Sequence, residues 1–103
     1  MERSDYKIGL ASANFAHSGL SSTITQIQGD AGSVLADMKA AAFDFLFLDS
    51  ERSEYPRMWP DLERVLQPGG LLVMDNATSH AAELASFMAL VKADIEFTTS
   101  LVP

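Results

Sequence analysis

A chain of 103 residues is one domain at most, and 48% hydrophobic with 20% charged residues places it among globular sequences that fold. Fourteen acidic against seven basic side chains leave a net charge of -7, which repels phosphate backbones and excludes DNA and RNA as expected partners. The lack of cysteine removes disulfides and thiolate metal sites. No apolar run approaches the roughly 18–20 residues needed to span a bilayer, and the N-terminus lacks a signal-peptide core, so the expected setting is cytoplasmic with no membrane partner.

In chain order, Ser4 or Asp5 is placed to cap a helix running to about His17, with Ile8, Leu10, Ala11 and Phe15 near one face and Gly19 as its stop. Ser22 to Gly29, "STITQIQG", predicts a short edge strand, because Ile24 and Ile27 sit among Thr and Gln. Val34, Leu35 and Met38 mark a second, shorter helix. Phe43 to Leu48, "FDFLFL", is the clearest strand, and a helix from Tyr55 or Pro56 to Leu66 places Met58, Leu62, Val65 and Leu66 at helical spacing. "QPGG" breaks that helix, and "LLVMDN" is a second apolar strand ending in a polar pair. Ser79 to about Lys92 predicts a fourth helix capped by Ser79 with Glu83 nearby, and "EFTTSLV" a last strand.

Helix and strand in alternation predict an α/β fold with parallel strands, in which ligands sit beyond the carboxyl ends of the strands. Asp49 and the pair Asp75 and Asn76 lie at such ends. If those two strands are neighbours, their backbones are about 4.8 Å apart, close enough for the three oxygen-bearing side chains to converge on one hard cation, magnesium being the expected ion and calcium or manganese the alternatives. The plainer reading treats Asp75 and Asn76 as turn residues that bond their own backbone, and "SERSE" as a solvated loop.

The segments "FDFLFLDSERSEY", "VLQPGGLLVMDN" and "GDAGSVL", in this order and spacing, resemble the carboxyl-terminal two-thirds of a class I S-adenosylmethionine-dependent methyltransferase. The resemblance is to the metal-dependent O-methyltransferases related to the catechol and caffeoyl-CoA enzymes, and it implies a Rossmann-like, mostly parallel sheet over residues 1–103. It implies Asp49, Asp75 and Asn76 as ligands of a divalent cation that binds two neighbouring hydroxyls of a small substrate, with methyl transfer from S-adenosylmethionine to oxygen. It also implies Glu2 on the ribose hydroxyls, and Asp30 and Ala31 at the adenine ring. In relatives that use no metal, the position of Asp49 faces the cofactor. Tyr55 and Trp59 are candidates to line the substrate entrance, against the commoner role of helix aromatics as core.

Two departures from the family pattern stand out. Arg52 takes the place of a lysine expected to act as base, and arginine keeps its proton at ordinary pH, so it is limited to stabilising a phenolate electrostatically. His80, close in sequence to Asp75 and Asn76, is the alternative base, with a solvated capping residue as its plainer role. The family's first strand and glycine-rich loop are expected before Met1 and its last strand after "SLVP". The sheet is therefore expected to be incomplete, with open edges that favour a homo-oligomer, and the isolated chain is expected to transfer no methyl groups. Other classes fit less well. A response-regulator receiver needs an earlier acidic pair and a later lysine where "LLVMDN" supplies aspartate, and a dinucleotide-binding dehydrogenase needs G-x-G-x-x-G, which the chain lacks. A non-catalytic fragment that binds a partner or oligomerises is the alternative function.

Overall fold

The first helix starts where a side-chain acceptor is available to it. In the computed structural model, which describes residues 1–102, α1 spans Asp5–Ser18, and the Ser4 hydroxyl accepts a hydrogen bond from the Lys7 N–H at 3.3 Å. Gly19 ends the helix at φ 75°, a left-handed conformation that costs glycine little, and its N–H reaches back to the carbonyls of Phe15 and Ala16. Ile8, Ala11 and Phe15 are half-buried, but Leu10 is exposed. Leu10 follows Ile8 by two positions, which turns it to the opposite side of the helix.

Residues 22–29 do not form the expected edge strand. The N–H groups of Thr23 and Ile24 both turn back to the Leu20 carbonyl, and pairing is confined to an isolated parallel bridge between Glu2 and Gln28. Glu2 N–H donates to Ile27 O at 3.0 Å and Gly29 N–H donates to Glu2 O at 2.9 Å. A strand exists only where a neighbour offers a ladder, and here the neighbour leaves for the α1 cap at Ser4 after one pair. The second helix, α2, spans Ala31–Ala36 and is capped by Asp30, whose Oδ2 accepts from Ser33 N–H at 3.1 Å. Leu35 is buried, whereas Met38 lies beyond the helix end. These elements form one compact unit, Met1–Asp37, and a second unit begins at Met38.

In the second unit, two apolar runs pair as a parallel sheet: β1, Phe43–Leu48, and β2, Leu66–Met74. Between them come a 3-10 turn at Arg52–Glu54 and helix α3, Tyr55–Val65; α4, Ala81–Ala93, follows β2. The register sets Leu46 beside Leu72, Phe47 beside Val73 and Leu48 beside Met74. Strand β2 starts earlier than "LLVMDN", at Leu66, because the ladder resumes on both sides of "QPGG". Phe43 pairs with Leu66 and Phe45 with Leu71, and the irregularity between them absorbs the extra residues. Glycine is required there: Gly69 has φ 82°, and a Cβ on Gly70 would lie 2.8 Å from the Gln67 carbonyl oxygen.

The core of this unit is built on the stripe Tyr55, Met58, Trp59, Leu62 and Val65 of α3, which recurs at three and four residues and is buried throughout. Leu84, Phe87 and Val91 of α4 are buried at the same kind of spacing. Phe87 meets Tyr55 edge-on at 5.4 Å and Trp59 at 5.6 Å between ring centroids. Only one face of the sheet is well covered. Leu48 is buried, but on the other face Phe45, Phe47 and Leu71 are each more than half exposed, which departs from the expectation of strands apolar and buried on both sides. The expected last strand is likewise absent. Residues 94–102 carry no ladder, and Phe97 is fixed there by packing on Trp59 at 5.0 Å. Together the elements make a mixed α/β architecture with a parallel sheet, a partial form of the Rossmann-like methyltransferase fold.

Candidate functional site

The two polar strand endings are neighbours. Leu48 and Met74 are partners in register, and the ladder continues one step further, with Asp75 N–H donating to Leu48 O at 3.3 Å. Asp49 and Asp75 therefore leave adjacent parallel strands at the same carboxyl end. Both are exposed. Among the described residues no hydrogen bond or ion pair engages the Asp49 carboxylate. Asp75 Oδ1 accepts from the Asn76 N–H at 2.8 Å, and Asn76 sits at φ 62°, a left-handed conformation that asparagine adopts more readily than most residues. The Asn76 amide oxygen accepts from the Ser79 hydroxyl at 3.4 Å. Thus the turn chemistry foreseen for this pair is present, and it leaves Asp75 Oδ2 and both Asp49 oxygens unengaged. Two carboxylates and an amide oxygen are a donor set suited to a hard divalent cation.

Arg52 opens the 3-10 turn three residues after Asp49, half-buried, and no ion pair engages it among the described residues. The expected Ser79 cap is replaced: His80 occupies the N-cap position of α4 without a capping side-chain bond, and its backbone N–H donates to Asn76 O at 2.9 Å. Its ring Nδ1 lies 3.2 Å from Glu83 Oε1. An ionised carboxylate only accepts, so Nδ1 is the donor in this contact, and in the neutral imidazole the lone pair is then on Nε2. Tyr55 and Trp59 lie in the core, 1% and 7% exposed, instead of lining an open entrance. The Tyr55 hydroxyl nevertheless reaches the site's flank, accepting from Ser50 N–H at 2.9 Å and lying 3.4 Å from Ser50 O. Nothing in the spacing of the sequence flags that link, because it closes across a loop.

In the first unit the bridge brings Glu2 beside Gln28, close to the start of α2. Glu2 Oε1 accepts the backbone N–H groups of Arg3 at 2.9 Å and Ser4 at 3.0 Å, and the Ser4 N–H foremost holds the carboxyl below its usual range. Oε2 is left free. Asp30 is more fully engaged: it caps α2 through Ser33, which lowers its pKa, and it pairs with the Arg3 guanidinium. Ala31 is the first residue of α2, where backbone N–H groups have no partner within the helix.

A second oxygen cluster lies elsewhere in the second unit. Carboxylate oxygens of Glu63, Asp94 and Glu96 approach within 4.8 Å of one another. Hydrogen bonding with Asp94, helped by desolvation and the charges of Asp94 and Glu96, pushes Glu63 up. The same bond, with the Glu96 N–H at 3.0 Å, holds Asp94 down. The two carboxyls are thus pushed in opposite directions, Glu63 up and Asp94 down. Because the Glu63 pKa is raised on folding, its contribution is fully present below the unfolded value of 4.5 and is lost as pH rises through the folded value. Asp94, lowered, contributes in the opposite sense at the acid end. Glutamine at position 63 keeps a donor without a charge. Thermal midpoints should therefore show Glu63→Gln more stable than the wild type at about pH 8, with the difference vanishing as pH falls below 4.5; a difference independent of pH would contradict the raised Glu63 pKa.

The O-methyltransferase family matches residues 1–93. A caffeoyl-CoA O-methyltransferase of Populus kitakamiensis is 33% identical over 79 residues, covering 73% of this chain and 33% of that protein. Caffeoyl-CoA O-methyltransferase 2 of Zea mays is 33% identical over 81 residues, 74% of this chain and 30% of its own. The match therefore spans about a third of the length of these relatives, and the chain belongs to the O-methyltransferase family.

Proposed function

We propose that the chain serves S-adenosylmethionine-dependent transfer of a methyl group to a hydroxyl oxygen of a small, catechol-like molecule, assisted by a divalent cation, most naturally magnesium. The observation that carries this reading is the adjacency of the Asp49 and Asp75 strand ends, with Asn76 next in line. Family membership and relatives named for methyl transfer to caffeoyl-CoA support the reaction class. A bound divalent cation would supply Lewis acidity toward a substrate hydroxyl, and S-adenosylmethionine would supply the methyl group.

The residues themselves divide the work. Asp49 and Asp75 bring negative charge to the strand tips and Asn76 a neutral oxygen, all anchored by backbone hydrogen bonds of the sheet and its turn. Arg52 stays protonated and offers positive charge to a developing oxyanion. His80, oriented through Nδ1 by Glu83, presents Nε2 as a proton acceptor. In the first unit, Glu2 keeps a free carboxylate oxygen suited to ribose hydroxyls, and the Ala31 N–H suits a ring nitrogen of adenine, while the Asp30 oxygens are already taken up by Ser33 and Arg3.

A non-catalytic binding role is the second reading, favoured by Arg52 in place of a proton-accepting lysine. Calorimetric titration of the chain with magnesium and with S-adenosylhomocysteine separates the two. Saturable heat with both is expected from the proposed function. Heat with neither leaves the non-catalytic reading.

A further inference from the structure

Asp49 is flanked by two peptide groups, and each is held by a different part of the second unit. On its N-terminal side the Leu48 carbonyl accepts the Asp75 N–H at 3.3 Å, which ties the chain to the neighbouring strand. On its C-terminal side the Ser50 N–H, part of the peptide unit that begins at the Asp49 carbonyl, donates to the Tyr55 hydroxyl at 2.9 Å, and that hydroxyl faces Ser50 O at 3.4 Å. The Tyr55 ring cannot swing away. It is 1% exposed and packs edge-on against Phe87 of α4 at 88°.

The excursion from Ser50 to Tyr55 is thus closed onto the core by one phenol oxygen. Ser50 is itself exposed, so water would satisfy its N–H without any help from Tyr55. What the hydroxyl adds is direction: it fixes the peptide plane after Asp49, and with the Leu48 plane already fixed, the Cα–Cβ bond of Asp49 has a set heading.

We propose that Tyr55 is a positioning residue for the strand-tip oxygen donors, acting through the Ser50 peptide to aim the Asp49 carboxylate. The inference rests on the cation-assisted reading of Asp49, Asp75 and Asn76 given above. Partners that orient a ligand from behind change metal affinity by roughly 10- to 100-fold when removed, and Tyr55→Phe should raise the dissociation constant for manganese(II) by that factor. Phenylalanine fills nearly the same space in the core, so the fold is retained.

The test is a manganese(II) titration of the 103-residue chain, followed by electron paramagnetic resonance, for the wild type, Tyr55→Phe and Val91→Ala. Val91→Ala thins the same core from α4 without touching Ser50, so it controls for general loosening. Weaker binding in Tyr55→Phe but not in Val91→Ala supports the proposal; equal affinity in Tyr55→Phe and the wild type, or equal losses in both variants, overturns it. Hydrogen exchange of the Ser50 amide, read by NMR without any metal, provides a second measurement that needs only the wild type. Protection at Ser50, an exposed loop residue outside any strand, supports the clamp, and exchange at the rate of an unstructured peptide overturns it. Should the wild type bind no manganese, the cation reading itself falls, and the exchange rate alone decides whether Tyr55 orders the Asp49 tip.

Discussion

Asp75→Asn should abolish most divalent cation binding while leaving the fold intact, and the two halves of that result separate two roles for the same residue. As a turn residue, Asp75 uses Oδ1 to accept the Asn76 N–H at 2.8 Å, and an asparagine side chain carries the same acceptor in the same place. If turn formation were its whole contribution, the variant would match the wild type in every measurement. In the proposed role of cation ligand, Asp75 would supply charge, and hard cations respond strongly to the number of carboxylates around them. We expect the manganese(II) dissociation constant to rise by about a hundredfold or more. Without cation, the thermal midpoint should be unchanged or slightly raised, since one of two like charges at neighbouring tips is gone. Circular dichroism and the metal titration, run on the same samples, check both halves. Unchanged affinity would leave the strand tips with turn chemistry alone.

The second large effect concerns stability. Leu62 lies mid-way along α3, 1% exposed, within the stripe that carries the core of the second unit. Leu62→Ala should cost about 2–5 kcal/mol through lost burial and the cavity left behind. A domain of this length has roughly 5–15 kcal/mol to lose, and each kcal/mol moves the thermal midpoint by about 4–8 °C in a chain of this size. The variant should therefore melt on the order of 10–30 °C lower. Phe47→Ala provides the contrast. Phe47 is larger and belongs to the most apolar strand, yet it is 55% exposed, so its removal should cost under about 1 kcal/mol. Urea unfolding of both variants tests the asymmetry of the sheet. A loss at Phe47 comparable to that at Leu62 would mean that this face is covered in solution.

That contrast marks where local pattern stops being informative. The α1 start at Ser4 and its stop at Gly19 were both readable, because a cap is a bond between residues two to five positions apart. The α3 stripe was readable for the same reason, since its period follows from helix geometry. Strands are different. Ser22 to Gly29 has strand-like residues but finds a single partner at Glu2, and "EFTTSLV" finds none. Strand β2 starts at Leu66 because β1 offers a ladder on both sides of the glycine pair. A strand is made by its neighbour, and the neighbour is distant in the chain.

The same division runs through the candidate site. That Asp49 and Asp75 end apolar runs could be read directly from residue order, because a buried strand must surface in a polar residue at its tip. That the two tips are adjacent, that His80 rather than Ser79 starts α4, and that the Tyr55 hydroxyl is spent on the Ser50 peptide came from the packed fold. Caps, helical stripes and strand chemistry are written in short-range order; which elements touch is settled by packing, where contacts between remote residues compete for the same buried space.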